Sequence, residues 1–383
     1  MSIMTSPERA DFFECCKRAG SVLLLAPSSY LGGIYRPLVV AELTRRIPSV
    51  RLIAVDDVLF ANKAEAYGFD DVILLAQLRE GHPYKGGVVV NCAYSLPTWL
   101  TFQQIAVSAQ CECVDLPELL YLLDIPLVYQ IGAVTRSQTL AHQAEFATLR
   151  ERFEDDLSRR TLDAIMRMRM DGNRASLLDV LCSGEQEYFS LYRGGEHPIQ
   201  LRTDEHYVDV GAYDGDTVKK FMAAVRHEFA SIHAFEPDPA NFKAMQDVLG
   251  DASAQGLVLH HQAVSDTDGF LSFAAKGTMG SRAEKGGDIQ VPSIRLDDVL
   301  DDVTLLKMDV EGHEANVLRG GAQLIGRCRP RMAITCYHHA LDLLDIVAVI
   351  DQIGPGASLR LRHYSMFFYD TILYVDWPTA AGG

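Results

Sequence analysis

Residues 207–217, YVDVGAYDGDT, decide how this chain is to be read. A strand-length apolar run closes in a Gly-x-x-x-Gly turn, Gly211 and Gly215, flanked by Asp209, Asp214 and Asp216. Glycines let a backbone turn tightly and approach a ligand with no Cβ in the way. A helix starting near Asp216 points its free N–H groups at the same place. In an open α/β sheet, ligands bind beyond the carboxyl ends of the strands, so chemistry belongs just after each strand. A dinucleotide diphosphate favours such a helix start but is repelled by acid. Three aspartates therefore favour a cationic ligand. Asp209, Gly211, Ala212, Tyr213, Asp214, Gly215, Asp216 and Thr217 form the first candidate binding set.

Working outward, three later strand ends continue the pattern. The strand expected at 231–235 runs into FEPD (235–238), placing Glu236 25 residues after Gly211. An acid there is placed to accept from ribose hydroxyls, and Pro237 fixes the turn. Residues 257–264 form one expected strand, running into QAVSD (262–266), where Gln262 and Ala263 are candidates for base contact. Residues 305–308 run into LKMDVEGHE, crowding Asp309, Glu311, His313 and Glu314 onto one strand-to-helix turn. His313 is the only side chain here whose ordinary pKa lies near neutrality, which makes it a candidate general base. Asp309, His313 and Glu311 form the candidate catalytic set. A hard cation such as Mg²⁺ is the rival reading of this cluster, and capping of the next helix is the bland one for Glu311 and Glu314. No metal ligand is assigned from sequence. His338 and His339 are a second candidate pair near the acceptor. The glycine-rich residues 277–287 suit a lid, with Arg282 in it.

The bulk numbers narrow the class. The chain has 383 residues and a formal charge of −16, from 35 Lys+Arg against 51 Asp+Glu. That balance disfavours nucleic acid as a broad partner, because phosphate recognition needs a positive footprint. No apolar run reaches the roughly 20 residues of a membrane span, and residues 1–16 lack a signal-peptide pattern. Eight cysteines without a Cys-x-x-Cys pair read as reduced thiols. The expected location is the cytoplasm.

The rhythm of the chain is strand–helix in both halves. Residues 21–26, 50–55, 71–75 and 87–91 read as strands of an N-terminal α/β Rossmann-like domain over 1–136, with Gly32-Gly33 as a turn. Residues 137–184 read as a helical linker and 187–201 as a hairpin. Residues 185–383 carry the second domain. Its strands are expected at 207–210, 231–235, 257–264, 305–308, 332–336, 359–364 and 371–375, the last antiparallel because only a short loop precedes it.

The C-terminal half resembles the FkbM family of S-adenosylmethionine-dependent O-methyltransferases. VDVGAYDGDT, FEPDP with Asn241, QAVSD and above all LKMDVEGHEANVLRGG carry the resemblance, joined by RHYSMFFYDTILYV at 362–375. It implies a Rossmann-like seven-stranded sheet with an antiparallel last strand. It implies S-adenosyl-L-methionine as cofactor, held by Asp209, Gly211, Gly215 and Glu236 with Asp309 beside it. It also implies a sugar, glycan or polyketide hydroxyl as acceptor. The N-terminal turn APSSYLGG (26–33) departs from Gly-x-Gly-x-x-Gly, so a scaffold, dimerisation or acceptor-positioning role is expected there rather than dinucleotide binding. A homodimer is the candidate assembly. Two other classes stay open: an NAD(P)-dependent dehydrogenase, and a non-catalytic nucleotide- or sugar-binding protein on a methyltransferase fold.

Overall fold

The structure, a computed structural model, describes residues 9–62, 65–79, 84, 86–126, 133–191, 196–250, 256–274, 282–283 and 289–378. The chain divides into two compact units, Met1–Leu140 with Ala164–Asp179, and Ala141–Asp163 with Val180–Gly383. The stretch 137–184 is thus shared between them, and the helix Asp156–Asp171 begins in the second unit and ends in the first.

In the first unit five short strands line up: β1 (Ser21–Leu25), β2 (Arg51–Val55), β3 (Asp71–Ile73), β4 (Val88–Asn91) and β5 (Glu112–Asp115). Their order is β3-β2-β1-β4-β5 and every pair is parallel. β1 and β4 are buried along their whole length, as unbroken apolar runs are in a sheet covered on both faces. Gly32 and Gly33 do not form a turn. They lie in the first turn of the helix Tyr30–Arg46, where Ser29 Oγ caps Gly32 N at 3.2 Å. A Cβ on Gly32 would sit 2.7 Å from Ala26 O, so glycine lets the helix start against the β1 turn.

The second unit holds β6 (His206–Val210), β7 (Ser231–Phe235), β8 (Leu257–His260), β9 (Ala263–Val264), β10 (Gly269–Ala274), β11 (Arg282–Ala283), β12 (Ile289–Ile294), β13 (Leu305–Met308), β14 (Arg331–Thr335), β15 (Ser358–His363) and β16 (Thr371–Asp376). Seven of them form one sheet in the order β15-β16-β14-β13-β6-β7-β8. β16 runs antiparallel to both neighbours and the other pairs are parallel. The sheet has the α/β methyltransferase fold expected from sequence. One expected strand is corrected: 257–264 breaks in two. β8 stays in the main sheet, while β9 pairs with β12 in a four-stranded side sheet, β11-β10-β12-β9. The hairpin expected over 187–201 has its turn, residues 192–195, outside the described residues, and the described residues flanking it are not strands. Of the expected lid at 277–287, all but 282–283 lies outside the described residues.

Local chemistry explains where these elements begin. Asp238 accepts from Ala240 N and Asn241 N and caps the helix Pro239–Leu249, whose fixed-φ Pro239 opens it. The helix Asp216–Ala224 buries Val218, Phe221 and Met222. Phe221 stacks on Tyr207 of β6 at 4.4 Å between ring centres, and Phe189 closes on both edge-on. Each such buried side chain contributes about 1.5–3 kcal/mol. Among the described residues no helix is long and apolar enough to cross a membrane, and all eight cysteines are free thiols.

Candidate active site at the carboxyl ends of the central strands

Strand order reverses between β6 and β13: β7 and β8 continue on one side of β6, β14 on the other side of β13. That switch point is where an open sheet leaves a crevice. The first glycine of the opening segment sits there. Gly211 has φ +80°, and a Cβ on it would lie 1.8 Å from Asp309 O. Gly215 has φ +84° and packs against Leu249 and Met245. The chain's own packing therefore demands both glycines, with the loop backbone pressed between β7 and β13. Gly211 N and Ala212 N both donate to Phe235 O at 3.0 Å.

The acids of the first loop are not equivalent. Asp209 is wholly buried, 2.9 Å from Lys307 Nζ and accepting from Tyr207 OH at 2.8 Å. Register explains the pair, because Asp209 and Lys307 are neighbours across β6 and β13. Burial pushes the Asp209 carboxyl up against the pull of Lys307. Burial draws the Lys307 ammonium down, but Asp209 and Asp309 outweigh it and the net shift is upward. Lys307 also donates to Gly211 O at 2.7 Å, tying the loop to the strand below. Half-buried Asp214 accepts from Asp216 N, and exposed Asp216 accepts from the N–H of buried Thr217. Asp209 thus acts on the loop's shape, and Asp214 and Asp216 carry its outward negative charge.

Glu236 directly follows β7 and is 5% exposed. One oxygen accepts from Tyr213 N at 2.9 Å and the other from Asp238 N at 2.8 Å. Burial pushes its carboxyl up to about 7, against the backbone N–H groups that favour the anion. Pro237 is half-buried between Glu236 and Asp238. Gln262 is half-buried and Ala263 buried at the start of β9.

The β13 end holds the densest chemistry. Asp309 Oδ2 accepts from Tyr188 OH at 2.8 Å. Thr335 Oγ1, from the end of β14, lies 3.3 Å from Asp309 Oδ1 and 2.9 Å from Glu314 Oε1. Glu314 is buried and also accepts from Val310 N and Gly312 N, so it holds the turn rather than facing solvent. His338 comes in from beyond β14 with three carboxylates around it, Glu314 at 3.2 Å, Asp309 at 3.5 Å and Glu311 at 3.7 Å. Burial opposes ionisation of both His338 and Glu314. Glu314, Asp309 and Glu311 together outweigh it and move the imidazole up, and His338 with the backbone N–H groups moves the Glu314 carboxyl down. His313 is elsewhere: its Nε2 lies 2.9 Å from Ser265 Oγ, just after β9, and burial pulls its pKa down. Tyr188, Tyr213, Glu311 and Asp370 all have left-handed φ, between +51° and +63°. Non-glycine strain of this kind gathers where a fold over-determines a site.

Sequence reasoning brought Asp309, Glu311 and the first loop to one place. It passed over Tyr188, Thr335 and the Lys307 pairing. It also missed Glu187 and Asp370, whose carboxyls are pushed up by burial and by neighbouring acids, to about 8 and about 7. The lysine inside LLKM was a usable signal, since a buried strand lysine requires a buried acid.

With this geometry in hand, comparison with known proteins gives the class. Residues 209–353 match the family model described as the methyltransferase FkbM domain. The matched residues include the ends of β6, β7, β9, β13 and β14. The 2-O-methyltransferase NoeI of Sinorhizobium fredii is 25% identical over 154 residues, covering 33% of this chain and 62% of that protein. The hexuronic acid methyltransferase AglP of Haloferax volcanii is 25% identical over 170 residues, covering 42% of this chain and 69% of that protein. In fold, the chain is similar to the crystal structure of methyltransferase FkbM from Methylobacillus flagellatus, with a TM-score of 0.75, 22% identity, and coverage of 96% of this chain and 93% of that one.

Proposed function

We propose that the second unit binds S-adenosyl-L-methionine across the ends of β6, β7 and β9 and transfers its methyl group to a hydroxyl of a sugar, glycan or other small molecule. The observation that carries this reading is the meeting of Gly211 with Asp309 at the switch point between β6 and β13. Backbone of the first loop and the turn that carries Asp309 meet at that point. When bound, the sulfonium supplies an electrophilic methyl group.

The residues divide the work by position. The loop 211–217 and the outward acids Asp214 and Asp216 hold the amino-acid end. Glu236, fixed between two backbone N–H groups, presents its remaining lone pairs to the ribose hydroxyls. Gln262 and Ala263 line the base side, and His313, engaged with Ser265, belongs with them. Asp309, Glu311 and His338 face the acceptor. Tyr188 and Thr335 fix Asp309 in place, which matters because in-line transfer needs near-attack geometry. The sugar acceptor is supported by the two relatives, one described as a 2-O-methyltransferase and the other as a hexuronic acid methyltransferase. We place the protein in the cytoplasm, as a homodimer without nucleic-acid partners, the last supported by its charge of −16.

The test is methyl transfer itself. Incubation with methyl-labelled S-adenosylmethionine and a panel of hexuronic acids, hexoses and oligosaccharides should give a labelled product stable to mild base, as an ether is. Label on nitrogen, on carbon or in a base-labile ester would contradict O-methylation.

A further inference from the structure

The helix Tyr30–Arg46 of the first unit is apolar on two faces. Leu31, Tyr35, Val39, Val40 and Leu43 are buried. The opposite face, Tyr30, Gly33, Ile34, Pro37, Leu38 and Ala41, keeps the three- and four-residue spacing of one helical stripe and is exposed throughout among the described residues. Tyr30 is 68%, Leu38 53% and Ile34 45% exposed. Tyr94 extends the stripe, packing edge-on against Tyr30 at 5.6 Å between ring centres. A helix that is apolar all round is normally covered all round.

Gly33 points to close approach from outside. A Cβ there would meet only Ser28 O, at 3.8 Å, an ordinary contact, so the chain's own packing does not require glycine. Glycine weakens a helix relative to alanine. On the exposed face it lets another backbone come near.

Area and charge select the occupant. The stripe with Tyr94 presents roughly 600 Å², most of the about 800 Å² per partner that a standard interface buries, with exposed Thr44 and Arg45 as its rim. Every copy carries a charge of −16, so two copies repel unless they meet on a face without acid. The stripe has no acid, and neighbouring Glu42 is paired with Arg45 and Arg46. The same net charge disfavours an anionic membrane surface.

We propose that this face joins two copies of the chain about a two-fold axis, helix against antiparallel helix. An axis beside Pro37 and Leu38 sets Ile34 against the partner's Ala41 and Tyr30 against the partner's Arg45. Large side chains then face small ones, and a guanidinium reaches a ring. The proposal rests on the homodimer reading and names its surface; it is independent of methyl transfer.

Full-length protein is followed by sedimentation equilibrium at micromolar concentrations. Wild type should be a dimer. Leu38→Glu, which brings an acid into the contact, and Gly33→Leu, which fills the space for approach, should each weaken it about a hundredfold or more. Both positions are exposed, so circular dichroism melts should match wild type, and Leu38→Met should keep the dimer. A monomeric wild type would overturn the proposal. A dimer that survives both substitutions would overturn this surface and keep the homodimer. A monomer that floats with phosphatidylserine vesicles, and stops doing so in Leu38→Glu, would overturn it and give the stripe to a membrane.

Discussion

Gly211 shows how little room the site leaves a single side chain. Its Cβ position lies 1.8 Å from Asp309 O, and its φ of +80° is hostile to any other residue. Gly211→Ala should lose more than about 2 kcal/mol of stability in urea unfolding. Gly184→Ala, with nothing within 4 Å of its Cβ, should stay within about 0.5 kcal/mol. Equal losses would mean that Gly211 is not pinned by β13. Glu236 gives a pH dependence. Its folded carboxyl is raised to about 7 from the ordinary 4.5, so the folded state resists its ionisation. The penalty is absent below about pH 4.5, grows as pH rises to about 7 and is constant above. A difference of that size corresponds to on the order of 3 kcal/mol. Glu236→Gln, which does not ionise, should therefore gain stability relative to wild type between pH 4.5 and pH 8. A gain that stays flat over that range would contradict the buried carboxyl. At the acceptor end, His338→Gln should slow methyl transfer about tenfold to a hundredfold, while His313→Ala, on the Ser265 side, should act mainly on cofactor affinity. The reverse pattern in steady-state kinetics would return His313 to the acceptor.

At the level of elements, the sequence was legible wherever one segment determined its own structure. Strand ends with their glycines and acids were visible because loop chemistry is local. β5 was missed because ECVD carries two acids in four residues and lacks an apolar run. The break of 257–264 into β8 and β9 was hidden because pairing with β12, some 30 residues on, decides it. The Asp209–Lys307 and His338–Glu314 pairs were hidden for the same reason: register and turn geometry bring them together, not spacing. The first unit has a pair of this kind. Arg174 is fully buried, with Nε and Nη2 on Asp115 at 2.7 and 2.6 Å and Nη1 on Ala93 O. Asp115 also caps the helix Leu116–Leu123. Asp115→Ala should cost about 3–5 kcal/mol, because it removes the carboxylate that balances a buried guanidinium. A loss near 1 kcal/mol in chemical unfolding would mean that only the cap was lost.

For the whole molecule, the two compact units interleave along the chain rather than follow one another. Residues 141–163 belong with the methyltransferase sheet: Phe146, Leu149 and Phe153 are buried, Glu154 N donates to Leu359 O, and Asp155 holds Arg362. The linker expected from charge and helical period hid this, since periodicity marks a helix but not the surface it covers. A fragment of residues 185–383 should therefore melt lower and aggregate more than one of residues 141–383, by differential scanning fluorimetry. Equal melting would place 141–163 outside the second unit's core. The opening segment itself now has a sharper meaning. Its glycines answer to β13 and helix packing, and its buried aspartate to Lys307, so the ligand is left to the loop backbone, the outer acids and Glu236. The most direct test is calorimetric titration of the full chain with S-adenosyl-L-methionine. Binding of one molecule per chain, weakened about tenfold or more in Glu236→Ala, is the expected result. No binding, or full affinity in a folded Glu236→Ala, would contradict it.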